Sequence, residues 1–317
     1  MTDTTPSITR RPHFRRHDPP PILIQDDDIA ICRFVHEGRF RRSTDICNFM
    51  RHRPAKKITE RLGVLYHTAY LDRPRAQRDY FSANKKRPHY IYALGNRGAA
   101  LLAEVDGIDM PNKDWTDKNR DIGRPFIHHR LAIADVITAF KFSLQGRTDV
   151  RFIEPPEILS RATEATQRLD NPWKWHARVP TPGGTIIDKA LVPDAVFGLD
   201  FTAKRLRYFF MLEADRATMP VWRSNLTSKT SMYAKFLTYF YGHKANYHGR
   251  TYNITNFRVL TCSTTPERIQ NMVNLIKRKI APSNMFLFTD VATLQSTPDV
   301  LSLPWVSGKG EIVRLAD

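Results

Sequence analysis

The chain has 317 residues, 41% of them apolar, and carries 49 Lys+Arg against 32 Asp+Glu for a net charge of +17. That length suits two domains of ordinary size with real cores, and the absence of any run of about 18 apolar residues argues against a spanning helix. So large a positive charge speaks of partners and not of fold; nucleic acid is the leading partner, because neutralising phosphates releases condensed counterions, with a membrane surface as its rival.

The opening stretch MTDTTPSITRRPHFRRHDPPP has charge but no apolar centre, unlike a signal peptide. Residues 1–21 therefore read as a disordered basic tail, with an arm touching DNA as the functional alternative. Three cysteines, Cys32, Cys47 and Cys262, without a CxxC pair, suggest a reducing, cytoplasmic setting and no structural zinc. Cys262 reads as a small buried residue.

Residues 22–105 read as one small domain. Asp26-Asp27-Asp28 could cap a first helix through Ile29, Ile31, Phe34 and Val35, and a hydroxyl of Ser43-Thr44 could cap a short second one. Pro54 marks the start of a third, AKKITERLGVLYHTAYL, in which Ile58, Leu62 and Leu65 make an apolar face. The basic stretch RPRAQRDYFSANKKRPH follows, with Tyr80 and Phe81 as hairpin packing. Then come a strand at Tyr90–Leu94 and a helix from near Asn96. From Arg33 to Arg97 there are 16 Lys+Arg against 5 Asp+Glu, so most of the net charge lies in about a fifth of the chain. Three short helices, a basic stretch and a closing strand are the order of a winged helix-turn-helix, whose third helix enters the major groove while the wing lies over phosphates. The expected contacts to double-stranded DNA are Arg41, Arg42, Lys56, Lys57 and Arg61, with Lys85, Lys86 and Arg87 in the wing.

Residues 106–126 are polar with Gly and Pro, and read as a linker. In HHRLAIADVITAFKFSL, Ile133, Val136, Ile137 and Phe140 fall at helical spacing. His129 shares their face, as a packed histidine more readily than a metal ligand. Beyond residue 151 strands and helices alternate. RFIEPPEIL is a predicted strand, and TIIDKALVPDAVFGLD with RYFFMLEADRA a hairpin. SKTSMYAKFLTYFYG is a helix capped by Ser228 and stopped by Gly242. NFRVLTC is a strand, PERIQNMVNLIKRKI a helix and NMFLFTD the final strand. His243 and His248 are placed in a loop, facing phosphates. The pattern predicts a mixed sheet with crossover helices over 127–317.

The chemistry of that half centres on three acids. Strand alternation turns Glu213 and Asp215 to one face, and a hairpin brings Asp194 near them. Such carboxylates suit Mg²⁺, which would activate water or stabilise charge on a phosphate. The metal ligands expected are Asp194 and Glu213, with Asp215 as a third acid. Packing is the bland alternative, Glu213 pairing with an arginine and Asp215 ending the strand.

Pro193-Asp194 and Glu213-Ala214-Asp215 resemble the motif of PD-(D/E)XK nucleases, with Asp215 standing where the motif has lysine. Lys189 or Lys229 could replace it. The longer resemblance is to the replication-relaxation family, proteins of plasmids and other mobile elements. It rests on YIYALGNRGAALL, HHRLAIAD, PDAVF followed by FFMLEADRAT, and Lys229 with Tyr233 in SKTSMYAKF. The resemblance covers roughly residues 25–290 and implies an α/β chain, α+β overall: a winged helix followed by a mixed-sheet nuclease-like domain. It implies DNA binding in plasmid replication or its control. A Mg²⁺-dependent nuclease or nickase using Asp194, Glu213, Asp215 and Lys229 is one alternative. A mobilisation or replisome adaptor is another. A replication or mobilisation protein and a second copy of the chain are further expected partners.

Overall fold

The computed structural model describes residues 14–77, 89–107, 110, 114–181, 183–226 and 230–316. The chain is mixed α/β and its contacts divide it into two compact units, Met1–Ala134 and Asp135–Asp317.

In the first unit, α1 (Asp26–Gly38) is followed by β1 (Arg41–Arg42), α2 (Ser43–Phe49), α3 (Ala55–His67), β2 (Leu71–Asp72), β3 (Ile91–Leu94), α4 (Asn96–Asp106), α5 (Trp115–Arg120) and the start of α6 (Arg124–Ser143). The residues chosen by helical spacing are the ones that pack: Ile31, Phe34, Val35, Ile58, Leu62 and Leu65 share a single core with Ile46, Leu71, Leu94 and Leu102. The three strands form an antiparallel sheet in the order β1-β3-β2. β1 and β2 had no signal at two residues each.

The caps differ from those expected. Gln25 and Arg42 take the N-cap positions, and the aspartates of α1 and the hydroxyls of α2 fall inside the first turn. Acids three residues on close the ends: Asp28 Oδ2 accepts from Gln25 N at 2.9 Å, and Asp45 Oδ2 from Arg42 N at 2.9 Å. Pro54 does precede the third helix, as its N-cap. Residues 106–126, read as a linker, contain the helix α5, whose Asn119 is fully buried and donates to Leu94 O at 2.9 Å.

The second unit holds β4 (Val150–Ile153), α7 (Pro155–Leu159), α8 (Glu164–Gln167), β5 (Trp175–Pro180), β6 (Ile186–Leu191), β7 (Ala195–Phe201), β8 (Leu206–Ala214), α9 (Met232–Lys244), α10 (Tyr247–Tyr252), β9 (Arg258–Ser263), α11 (Pro266–Lys279), β10 (Phe286–Asp290), α12 (Val291–Ser296), β11 (Trp305–Ser307) and β12 (Ile312–Val313). Seven strands form one mixed sheet in the order β12-β11-β10-β9-β8-β7-β4. β4, β7 and β8 run antiparallel, whereas β8, β9 and β10 are parallel and need α9 and α11 as crossovers. β7 and β8 are buried along most of their length, which explains why their sequences are runs of apolar residues without alternation.

Several expectations change in detail. Of RFIEPPEIL only the first three residues, 151–153, are strand, as the end of β4, because Pro155 opens a helix at its first position. TIIDKAL is not part of the β7–β8 hairpin; it forms β6, which pairs with β5 in a separate two-stranded sheet. NMFLFTD is not the last strand, since β11 and β12 follow it. Cys262 is buried as expected, and burial pushes its thiol up to about 12.

The helix α9 is capped by Ser231, whose Oγ accepts from Ala234 N at 3.2 Å, and it runs through Gly242 without stopping. The expected cap Ser228 lies outside the described residues. Gly242 serves close approach: a Cβ there would come within 2.1 Å of Nε1 of the fully buried Trp175. Gly242→Ala is therefore expected to destabilise the fold by about 1–3 kcal/mol through overpacking, against the gain that Ala brings at an open helical site. Urea denaturation checks the sign.

Candidate functional site

The acids meet where β7 begins and β8 ends. Ala195 pairs with Leu212, so Asp194 stands across from Glu213 one step further along the hairpin. The backbone confirms the step, as Asp194 N donates to Leu212 O at 2.9 Å and Asp194 Oδ2 accepts from Ala214 N at 2.8 Å. Asp194 is half-buried, whereas Glu213 is 1% exposed. A carboxylate that deep needs donors. It has two: the Tyr239 hydroxyl donates to Oε1 at 2.6 Å, and the Lys235 ammonium donates to Oε2. Lys235 and Tyr239 stand one turn apart on α9, so both reach the same strand end.

Electrostatics follow from that burial. Loss of water raises the pKa of Glu213, with Lys235 and Tyr239 working the other way. Burial opposes the Lys235 ammonium, but Glu213, Asp194 and Asp215 outweigh it and its pKa is raised. We take the pair as ionised, since both oxygens of Glu213 receive hydrogen bonds.

Asp215, just past β8, has a different set of partners. Its Oδ2 accepts from Ser263 Oγ at 2.7 Å, and its two oxygens take Nε and Nη2 of Arg268 at 2.5 and 2.8 Å. That is a bidentate clamp from α11. Asp215 directly follows the last residue of β8, and Glu213 pairs with a lysine and not an arginine.

The expected substitute lysines do not fill the position. Lys189 on β6 donates to Leu226 O at 2.5 Å, and Lys229 lies outside the described residues. Sequence reasoning misses Lys235. Its one signal is a lone cation in the apolar run MYAKFLTYF, four residues before Tyr239.

A divalent cation does not fit the cluster as it stands. Glu213 has an ammonium and a phenol on its oxygens, Asp215 has a guanidinium and a hydroxyl, and Asp194 is half-buried and accepts from Ala214 N. Thr261, the register partner of Glu213 on β9, is fully buried with no hydrogen-bond partner for its hydroxyl among the described residues. A neutral hydroxyl adds no charge to hold a cation. Among the described residues no three His, Cys, Asp or Glu side chains are grouped to hold a metal ion.

The residues expected at DNA separate by burial. Lys56 and Lys57 are exposed on the face of α3 opposite Ile58 and Leu62, with Glu60 Oε2 3.8 Å from the Lys57 ammonium. Arg42 is half-buried and 3.3 Å from Asp45, and Arg61 donates to buried Asp28 and to Leu23 O. Arg41 is a correction: it is 3% exposed, stacks 3.9 Å over Phe34, and donates to the carbonyls of Phe34 and Ala134. Its guanidinium is committed to packing and has no reach to a phosphate. Lys85, Lys86 and Arg87, with Tyr80 and Phe81, lie outside the described residues.

His243 and His248 are also corrected. They belong to α9 and α10, with rings stacked 4.9 Å apart, and His248 is 3% exposed, so it does not face phosphate. Burial holds the His248 pKa below its usual 6.5, assisted by His243, against a hydrogen bond to Thr255. A depressed histidine contributes stability that is present above about pH 6.5 and lost as pH falls through the folded value. His248→Gln is expected to flatten the loss of stability between about pH 6.5 and 5. Melting curves across that range check it.

The family model described as replication-relaxation matches residues 33–253. It spans 221 of the 317 residues, taking in Asp194, Glu213, Asp215, Lys235 and Tyr239 but stopping short of Ser263 and Arg268. No curated protein matches the chain, and no solved structure does.

Proposed function

The chain belongs to the replication-relaxation family, and from that premise we propose that it binds double-stranded DNA through its first unit, in the replication of a plasmid or other mobile element or in its control. The observation that carries this reading is the outer face of α3. Its inner residues Ile58, Leu62 and Leu65 hold it on the core, while Lys56 and Lys57 stand exposed. The order α1, β1, α2, α3, β2, β3 with sheet order β1-β3-β2 supports a winged helix, in which this helix is the one that enters a groove. Many acids of the unit are already committed: Asp27 to Arg53, Asp28 to Arg61, Asp45 to Arg42 and Asp106 to Arg33. The test is binding of the full chain to duplex DNA against salt. A steep fall of log K with log salt is expected; a flat response would overturn the reading.

A second reading, a metal-dependent nuclease, has one observation in its favour. Asp194, Glu213 and Lys235 bring two acids and an amine together across the hairpin, so Lys235 could supply the group missing at Asp215. The coordination argument weighs against it. The expected result is a melting temperature unmoved by Mg²⁺ or Mn²⁺, since an ion that does not bind the fold adds no stability, and supercoiled plasmid left intact. Nicking in Mn²⁺ that disappears in Asp194→Asn would decide for the nuclease.

A further inference from the structure

The chain ahead of α1 is pinned to the end of α3, chiefly by one side chain. Arg15 Nε donates to Tyr66 O at 2.9 Å, and its Nη2 donates to Leu71 O and to Asp72 Oδ1, each at 3.2 Å. The guanidinium also lies 5.3 Å from the centre of the Tyr66 ring. Asp72 accepts from Arg73 N and Asn119 Nδ2 as well, so the first unit itself holds this acid in place. Arg16 N donates to His67 Nδ1 at 3.2 Å, while the Arg16 side chain is exposed. Arg15 is thus committed to anchoring, and Arg16 faces solvent.

The anchor meets α3 on the side that carries Lys56. Lys56, Glu60, Gly63 and His67 follow one another at i, i+4, i+7 and i+11, and so line one side of the helix. None of the four is buried. His67, the residue that Arg16 meets, stands at the far end of that strip, about 16 Å from Lys56 at a rise of about 1.5 Å per residue. The segment around the anchor, RRPHFRRH over residues 10–17, has four arginines, two histidines and no acid. Pro19, Pro20 and Pro21 follow it, and each fixes its own φ, so the link from α1 to the anchor is stiff. Arg10 and Arg11 lie outside the described residues; chain length alone bounds their reach. At about 3.3–3.6 Å per residue, Arg10 extends at most about 18 Å from Arg15, which matches the length of the strip from His67 to Lys56.

We propose that residues 10–16 form a basic arm along the phosphate backbone of the duplex that α3 enters, with Arg10, Arg11 and Arg16 on phosphates and Arg15 as the positioning residue that fixes the arm to the helix. This rests on the reading of α3 as the DNA-binding helix. An arm tethered at one end of that helix is already beside the strand bordering the groove, so less freedom is lost when it binds. Its cations add affinity without reading sequence. Lysine cannot take the place of Arg15, because an ammonium is a point charge whereas the guanidinium fork serves three acceptors at once.

The test uses the full chain, titrated by anisotropy against two duplexes of unrelated sequence over a range of salt. Arg10→Gln with Arg11→Gln and Arg16→Gln is expected to weaken both duplexes by the same factor, about 10–100-fold at physiological salt, and to lower the salt slope by about 2–3. Arg15→Lys keeps the charge, yet is expected to lose about threefold or more in affinity. In the chain already carrying the three glutamines, Arg15→Lys is expected to lose nothing further. A merely structural arginine would give the same loss in both backgrounds, and one that only meets phosphate would be rescued by lysine; either result removes Arg15 from the positioning role. An unchanged slope in the triple variant, or a loss confined to one duplex, overturns the arm. If the wild type itself shows no salt-dependent binding, the reading of α3 fails first and the arm falls with it.

Discussion

Lys235→Met is expected to destabilise the second unit by about 3–5 kcal/mol, because it leaves Glu213 as an unpaired buried charge. Glu213 is 1% exposed and the Lys235 side chain 18% exposed, so water does little to screen the pair. Tyr239 keeps its hydrogen bond to Oε1, but a phenol cannot replace the ammonium. Replacing both partners, as Lys235→Met with Glu213→Leu, should return most of the loss, since an apolar pair of similar volume removes the desolvation cost as well. The pH dependence has a definite sign. Lys235 titrates above its ordinary 10.5 in the fold, so its contribution is fully present below that value and is lost as pH rises through the folded pKa. The gap between wild type and Lys235→Met should thus hold at neutral pH and narrow above about pH 10.5. Urea titration measures it. A loss under about 1 kcal/mol, typical of exposed pairs, would mean that water reaches the site.

The acid cluster was legible in part, and the divide follows from sequence distance. Strand alternation and a hairpin are local rules, and they were enough to set Asp194 opposite Glu213. What those acids touch depends on crossovers. Lys235 comes from the next helix, while Ser263 and Arg268 come from a strand and a helix about 50 residues on. No periodicity joins such positions. Arg41 shows the opposite limit: charge counting placed it at DNA, but a guanidinium can stack on Phe34 and satisfy carbonyls inside a core. Gly242 had the composition of a helix stop, and only its proximity to Trp175 gives it a different role. Helices with a clear apolar stripe were visible from spacing alone. The two-residue strands β1 and β2 were too short to show any pattern.

Neutralising Lys56 and Lys57 together is expected to lower duplex affinity on the order of 10–100-fold at physiological salt and to reduce the salt slope by about 2, one unit for each phosphate no longer neutralised. The two lysines head α3 and stand exposed, so replacing them with glutamine removes charge without opening the core. Arg41→Gln is the contrasting variant. That arginine is buried, so its loss should lower stability and leave the slope of the folded protein unchanged. Net charge alone does not decide between the units: Met1–Ala134 carries 25 Lys+Arg against 16 Asp+Glu, and Asp135–Asp317 carries 24 against 16. The second unit's most compact basic run is Lys277, Arg278 and Lys279 at the end of α11. Neutralising that triplet in the full chain should change the slope by less than about 1. If instead the triplet variant loses as much affinity as Lys56→Gln with Lys57→Gln, the outer face of α3 is not the principal DNA surface. Anisotropy titrations of a labelled duplex at several salt concentrations give all three slopes. Sequence preference separates two kinds of contact on α3 itself. A lysine that only meets phosphate weakens every sequence alike, whereas one that reaches a base edge also alters the preferred site.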